Sequence, residues 1–327
     1  MIQDFMITSL FLLSIGISIL IKGSDFFVDG ATSIARIAEI PLVVIGLTVV
    51  AFATSAPEIL VSFVAAVNGE SDLAIGNAIG SNTANIALVL GSMAMIRSVP
   101  MKSSALKKLV RNLLIISFLM IIPFFDNVIS KAEGQVILFG FFLTMLWLVK
   151  YSIGMSKRSD IDDKYLSDQS LVSQSILSVS DSIFCLLIGL FLLFYGADLV
   201  VIYAVDIAQS LKISETIIGI TIIAIGTSLP ELSVSITSAL KGQHGLAVGN
   251  IIGSNIFNLL AVIGLGTAIS PAHLQKDVFN IHLMLMLFLT VVIFFITFRK
   301  NDVISRPEGF LLLLTFLAYM GYIILTN

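Results

Sequence analysis

An all-α protein with ten membrane-crossing helices, set out as two inverted repeats of five, is what this sequence predicts, and three observations carry the prediction. Of its 327 residues 57% are hydrophobic and 12% charged, with a mean hydropathy of +1.05, too apolar for a chain bathed in water. Apolar runs reach bilayer-crossing length repeatedly. Two stretches 173 residues apart are near copies, GNAIGSNTANIALVLG at 76–91 and GNIIGSNIFNLLAVIG at 249–264.

The spans follow in order. The first, 5–21, runs to Lys22 and has neither the basic start nor the small-residue cleavage site of a signal peptide, so it is expected to be retained. The second, 40–66, contains TSAPE and is expected to break at Pro57. The third, 73–96, holds the first copy of the long motif and stops before Arg97. The fourth, 109–125, lies beyond the basic residues Lys102, Lys107 and Lys108, and the fifth, 134–151, beyond Lys131. The second half repeats the plan with spans at 177–203, 213–240, 246–269, 278–298 and 307–326. Its second member holds TSLPE with Pro230, the second expected break, and its third holds the other copy of the long motif. Runs this long and continuous exclude a strand barrel.

Basic residues test the count, because cytoplasmic loops collect Lys and Arg. With the N-terminus outside, all but Lys131, Lys212 and Lys276 of the 18 basic residues fall on the cytoplasmic side. The protein is therefore expected in the cell's inner (plasma) membrane with both termini extracytoplasmic. Five spans per half is an odd number, so the second copy enters the membrane from the opposite side. Inverted repeats place equivalent sites about a pseudo-two-fold axis near the bilayer centre, as suits alternating access.

The division is then a first repeat at 1–151, a cytoplasmic linker at 152–176 and a second repeat at 177–327. Asp160, Asp162 and Asp163 in the linker resemble part of a calcium loop but lack its glycine and closing glutamate, so no site is assigned there. The net charge of −3 says little when charges are sorted by membrane side, and nothing points to nucleic acid. One cysteine, Cys185, supports neither an intrachain disulfide nor a zinc site. No cofactor and no obligate protein partner beyond the lipid bilayer are expected.

The chemistry concentrates in the duplicated motifs. Glu58 and Glu231 are matched carboxylates inside apolar spans, a placement that marks an ion or substrate pathway. Each follows a proline, which has no amide hydrogen, so the carbonyls of Ala53 and Gly226 are expected to lose their helical donors. Thr54, Ser55, Thr227 and Ser228 add hydroxyls, and the stripes Asn77, Ser81, Asn85 and Asn250, Ser254, Asn258, spaced by four, can complete the cage. An all-oxygen set suits hard cations such as sodium and calcium. The plainer readings are hydroxyls bonded to their own helices and asparagines that join helices. Gly76, Gly80, Gly249 and Gly253 are read as packing residues. Asp25 and Asp198 also match, but near span ends, where a solvated role is expected; His244, His273 and His282 have no repeat partners and suit interfaces.

At these residues the chain resembles the calcium/cation antiporter superfamily, in particular its prokaryotic sodium/calcium exchanger branch. TSAPE with GNAIGSNTAN, and TSLPE with GNIIGSNIFN, look like the two alpha-repeats of that family, and the ten-span plan covers essentially the whole chain. The resemblance implies cation binding by Glu58, Thr54, Ser55, the Ala51 carbonyl, Ser81 and Asn85, and from the second half by Ala224, Thr227, Ser228, Glu231, Ser254 and Asn258. It also implies exchange of cytosolic calcium for sodium, or in other branches for protons or with potassium, by sliding the first and sixth helices past a fixed core. The departure is at Asn258, since several sodium/calcium exchangers carry aspartate at one of the positions equivalent to Asn85 and Asn258. Glu58 and Glu231 alone balance one calcium ion or two monovalent ions. Three sodium ions would leave a buried positive charge for carbonyl dipoles to carry.

The function expected is a secondary antiporter whose carboxylates hold either calcium or the counter-ion, never both. A cage drawn from several helices favours calcium over magnesium, which demands a strict octahedron. The nearest alternative is a calcium/proton exchanger, in which Glu58 and Glu231 take up the protons; a cation channel with a glutamate constriction is a further one. An intramembrane hydrolase is disfavoured because no histidine lies near the duplicated serines in sequence.

Overall fold

With its peptide groups shut off from water, an apolar chain must satisfy them within itself, and here it does so in helices. The computed structural model describes residues 2–157, 177–213, 215–218, 221–222, 224–274 and 278–326, so the linker's three aspartates lie outside the described residues. The first repeat comprises α1 (Ile2–Ile37), α2a (Leu42–Thr54), α2b (Ala56–Val67), α3 (Ser71–Ile96), α4 (Ser104–Leu119) and α5 (Lys131–Lys157). The second comprises α6 (Val179–Ser210), α7a, which includes Glu215–Ile218 and Ala224–Thr227, α7b (Leu229–Leu240), α8 (His244–Ile269), α9 (Met284–Phe298) and α10 (Arg306–Thr326). Among the described residues seven helices are long and apolar enough to cross a membrane, and α2a with α2b makes an eighth, bent by 45°. The basic α4 and the partly described α7 complete the ten.

The repeat is written into the backbone. Glu39 and Lys212, 173 residues apart, both adopt positive φ (54° and 60°), as do Gly69 and Gly242 (84° and 75°). Two short antiparallel sheets tie loops of opposite halves together. Strand β1 (Val99–Pro100) pairs with β4 (Val303–Ile304), and β2 (Val128–Ile129) pairs with β3 (Ala272–His273). The offset that relates the motifs carries β1 onto β3. Helices α3 and α8 occupy the centre, and α8 is buried along its whole apolar length.

Two helices run further than expected. Helix α1 continues past residue 21 to Ile37, and α6 past 203 to Ser210. Asp25 and Asp198 therefore sit within helices and not at their ends. Asp25 is held by Lys241, whose Nζ lies 3.3 Å from it and 2.8 Å from Asp29, while Asp198 is exposed. The reason for the extension lies in glycines seven residues apart. A Cβ at Gly23 would lie 2.6 Å from the Leu193 nitrogen, and one at Gly196 would lie 2.6 Å from the Leu20 nitrogen. The two helices thus meet backbone to backbone, as small residues at membrane interfaces allow, and each supports the other beyond its apolar run.

Candidate cation-binding site

Both broken helices part at a serine. Ser55 (φ −85°, ψ 5°) ends α2a and Ser228 (φ −90°, ψ 3°) precedes α7b, and in each case the proline falls in the first turn of the helix that follows. There its missing hydrogen costs nothing, because the first N–H groups of a helix have no internal partner. The carbonyl of Ala53 is not left without a donor as the sequence suggested. Backbone N–H groups at the break reach both Ala51 and Ala53, with Ser55 N–H to the Ala51 oxygen at 3.0 Å. At the second break Ser228 N–H donates to the Ile225 oxygen at 3.0 Å.

Glu58 and Glu231 stand in the first turns of α2b and α7b, each 1% exposed. The N–H ends of those helices offer the carboxylates a partial positive charge. The halves meet here, since the Ser55 hydroxyl donates to Glu231 Oε1 at 3.3 Å. Asn85 and Asn258 are buried and open equivalent π-helical turns, Asn85–Leu90 and Asn258–Val262. Such widened turns recur at functional sites; no spacing in the sequence announced them.

What remains unsatisfied defines the site. Glu58 Oε2, Glu231 Oε2, Asn85 Oδ1, both polar atoms of the Asn258 amide, and the hydroxyls of Ser228 and Ser254 are buried with no hydrogen-bond partner. Buried polar groups are almost always paired. Glu58, Ser228 and Glu231 stand at the helix breaks and the others on α3 and α8, and their unpaired oxygens make a candidate ligand set for a desolvated cation. Thr54 is buried and donates to Asn250 Oδ1 at 3.2 Å, while Ser81 is 5% exposed and Thr227 half-buried. Ala51 is fully buried and Ala224 begins the turn ending at Thr227.

A cavity of about 510 Å³ reaches this region from the face on which α10 ends, passing Asp72, His273, Tyr319, Asn77 and Gly80 to Ser81. His282, half-buried near the start of the ninth span, has its Nδ1 2.7 Å from the Tyr319 hydroxyl. Sequence reasoning also missed Asn82, whose amide donates to the Asn255 carbonyl at 3.2 Å and joins α3 to α8 at the repeat axis. Its signal was the exact 173-residue pairing of the two asparagines.

The family described as "Sodium/calcium exchanger protein" matches residues 8–150 and 181–325, one block in each half. The chain belongs to the sodium/calcium exchanger family. It is similar to the putative antiporter CaxA of Alkalimonas amylolytica, 39% identical over 96% of this chain and 98% of that protein. It is 31% identical to the sodium/calcium exchanger MaX1 of Methanosarcina acetivorans, over 96% of this chain and 98% of the relative. A solved structure of the sodium–calcium exchanger NCX_Mj, soaked with sodium and strontium, superposes with a TM-score of 0.81 at 32% identity, covering 97% of this chain and 99% of that one. The ten-helix inverted repeat is thus the architecture of an exchanger, and the protein is a membrane cation antiporter.

Proposed function

We propose that this exchanger trades calcium for sodium by alternating access and extrudes cytosolic calcium across the plasma membrane, with both termini on the extracytoplasmic side. The observation that carries the reading is the set of orphaned buried oxygens on Glu58, Glu231, Asn85, Asn258, Ser228 and Ser254, gathered from both repeats and all hard donors. Glu58 and Glu231 supply the two negative charges. Thr54, Ser55, Thr227, Ser228, Ser81, Ser254, Asn85 and Asn258 supply neutral oxygens, with the carbonyls of Ala51 and Ala224 at the helix breaks. Each carboxylate serves calcium or the counter-ion in turn, so coupling arises by competition. The repeats at 1–151 and 177–327 supply one half of the cage each, and the stretch at 152–176 only connects them.

Calcium/proton exchange is the second reading, favoured by one feature: with amides at both Asn85 and Asn258, two carboxylates can balance calcium by taking up two protons. The test is calcium-45 uptake into proteoliposomes loaded with sodium, compared with vesicles that hold a proton gradient and no sodium. Sodium-dependent uptake supports the exchanger as proposed. Uptake driven by protons alone overturns the sodium assignment and makes Glu58 and Glu231 proton carriers.

A further inference from the structure

The two halves are not in the same state, and the difference falls on two asparagine–serine pairs beside the carboxylates. Asn250 on α8 is wholly buried and fully engaged. Its Oδ1 accepts from the Thr54 hydroxyl at 3.2 Å and its Nδ2 donates to Ser235 Oγ, also at 3.2 Å. The repeat carries Asn250 onto Asn77 and Ser235 onto Ser62. There the equivalent bond is not made: Asn77 Nδ2 and Ser62 Oγ are both buried without a partner. Asn77 borders the cavity, and Asn250 faces packed helix.

The glycines beside these asparagines divide the same way. A Cβ at Gly253 would lie 2.5 Å from the Leu47 oxygen, and one at Gly249 would collide with the Val43 oxygen, so α2a is seated on α8. At Gly76 and Gly80, the equivalent positions on α3, a Cβ would meet nothing within 4 Å among the described residues, and both glycines line the cavity. One side of the site is sealed at backbone contact with its asparagine–serine bond formed. The other is open with the bond unmade.

We infer that Asn250–Ser235 and Asn77–Ser62 are the two ends of a reciprocal latch, each bond made on the side that is sealed and released on the side that is open. The inference rests on the alternating-access reading above and adds positioning residues to it. On the sealed side the asparagine bridges a serine of its own repeat to Thr54 of the other, fixing the hydroxyl beside the cage. On the open side the asparagine amide is freed. A buried donor and acceptor left apart are costly, and here that cost is relieved when the cavity closes.

The test uses the full-length protein in proteoliposomes with Cys185→Ser and Gly80→Cys, so that a membrane-impermeant maleimide reports the open cavity. In that background Ser235→Ala removes the bond seen here and is expected to slow labelling by about fivefold, the equilibrium weight of one ordinary hydrogen bond. Ser62→Ala removes a hydroxyl with no partner in this state. It is expected to leave labelling and thermal stability no lower, yet to cut exchange turnover by about fivefold, because only the other state is weakened. Equal changes in labelling from the two variants, or wild-type turnover in Ser62→Ala, would overturn the latch. The labelling arm needs no ion flux, so it reads the latch even if sodium proves not to be the counter-ion.

Discussion

Alanine at Gly253 and alanine at Gly80 are the same chemical change at positions that the repeat makes equivalent, and the structure assigns them opposite consequences. At Gly253 the new methyl would sit 2.5 Å from both the Ala51 Cβ and the Leu47 oxygen and 2.9 Å from the Leu47 Cα, so α2a must move off α8. Overpacking of this kind costs about 1–3 kcal/mol. At Gly80, which lines the cavity, there is nothing within 4 Å among the described residues, so no such cost is expected. Each variant also gains about 1 kcal/mol from replacing a helical glycine. That gain is common to both, so the difference between them isolates the steric cost. Thermal unfolding of the two variants in detergent, side by side, should show Gly253→Ala the less stable by about 1–3 kcal/mol, with Gly80→Ala no less stable than the parent. Equal unfolding midpoints would refute the contrast between a sealed and an open side.

Other outcomes follow from the same geometry. Glu58→Gln and Glu231→Gln should each abolish calcium-45 uptake while the protein still elutes as a folded species, because the amide is nearly isosteric and removes an intramembrane charge; uptake retained in both variants would remove the carboxylates from the site. Asn258→Asp adds a third negative charge to the cage, so it should raise the number of sodium ions exchanged per calcium, read as charge moved per calcium in voltage-clamped proteoliposomes. Lys241→Met breaks the bridges to Asp25 and Asp29, whose side chains are 39% and 40% exposed. Water screens such pairs, so unfolding should show a loss of no more than about 1 kcal/mol.

The parts of the molecule that obey the repeat could be read from the chain itself. TSAPE and TSLPE located both helix breaks, and the pairing of Glu58 with Glu231 singled out the two carboxylates that lie buried beside them. The ends of α1 and α6 were misjudged because Lys22, Asp25 and Asp198 look like the border of a bilayer. A helix supported by a neighbour need not stop where the lipid does, and the glycines at 16, 23 and 30 that provide that support are regularly spaced in the sequence. Other features had no sequence signal. The π-helical turns at Asn85 and Asn258 depend on how a chain relaxes around a buried amide. The fate of the Ala53 carbonyl depended on which N–H groups turn back at the break. Above all, Asn77 and Asn250 occupy one motif and read alike, and only the packing of the folded helices makes their hydrogen bonding differ.

The glycine contact between α1 and α6 bears on how many independent motions the protein has. Gly23 lies against the backbone of α6 and Gly196 against that of α1, a contact that couples the two helices. Helix α1 belongs to one repeat and α6 to its inverted copy, so under the alternating access proposed above a displacement of one is expected to be shared by the other, and the pair is expected to count as one moving unit in place of two.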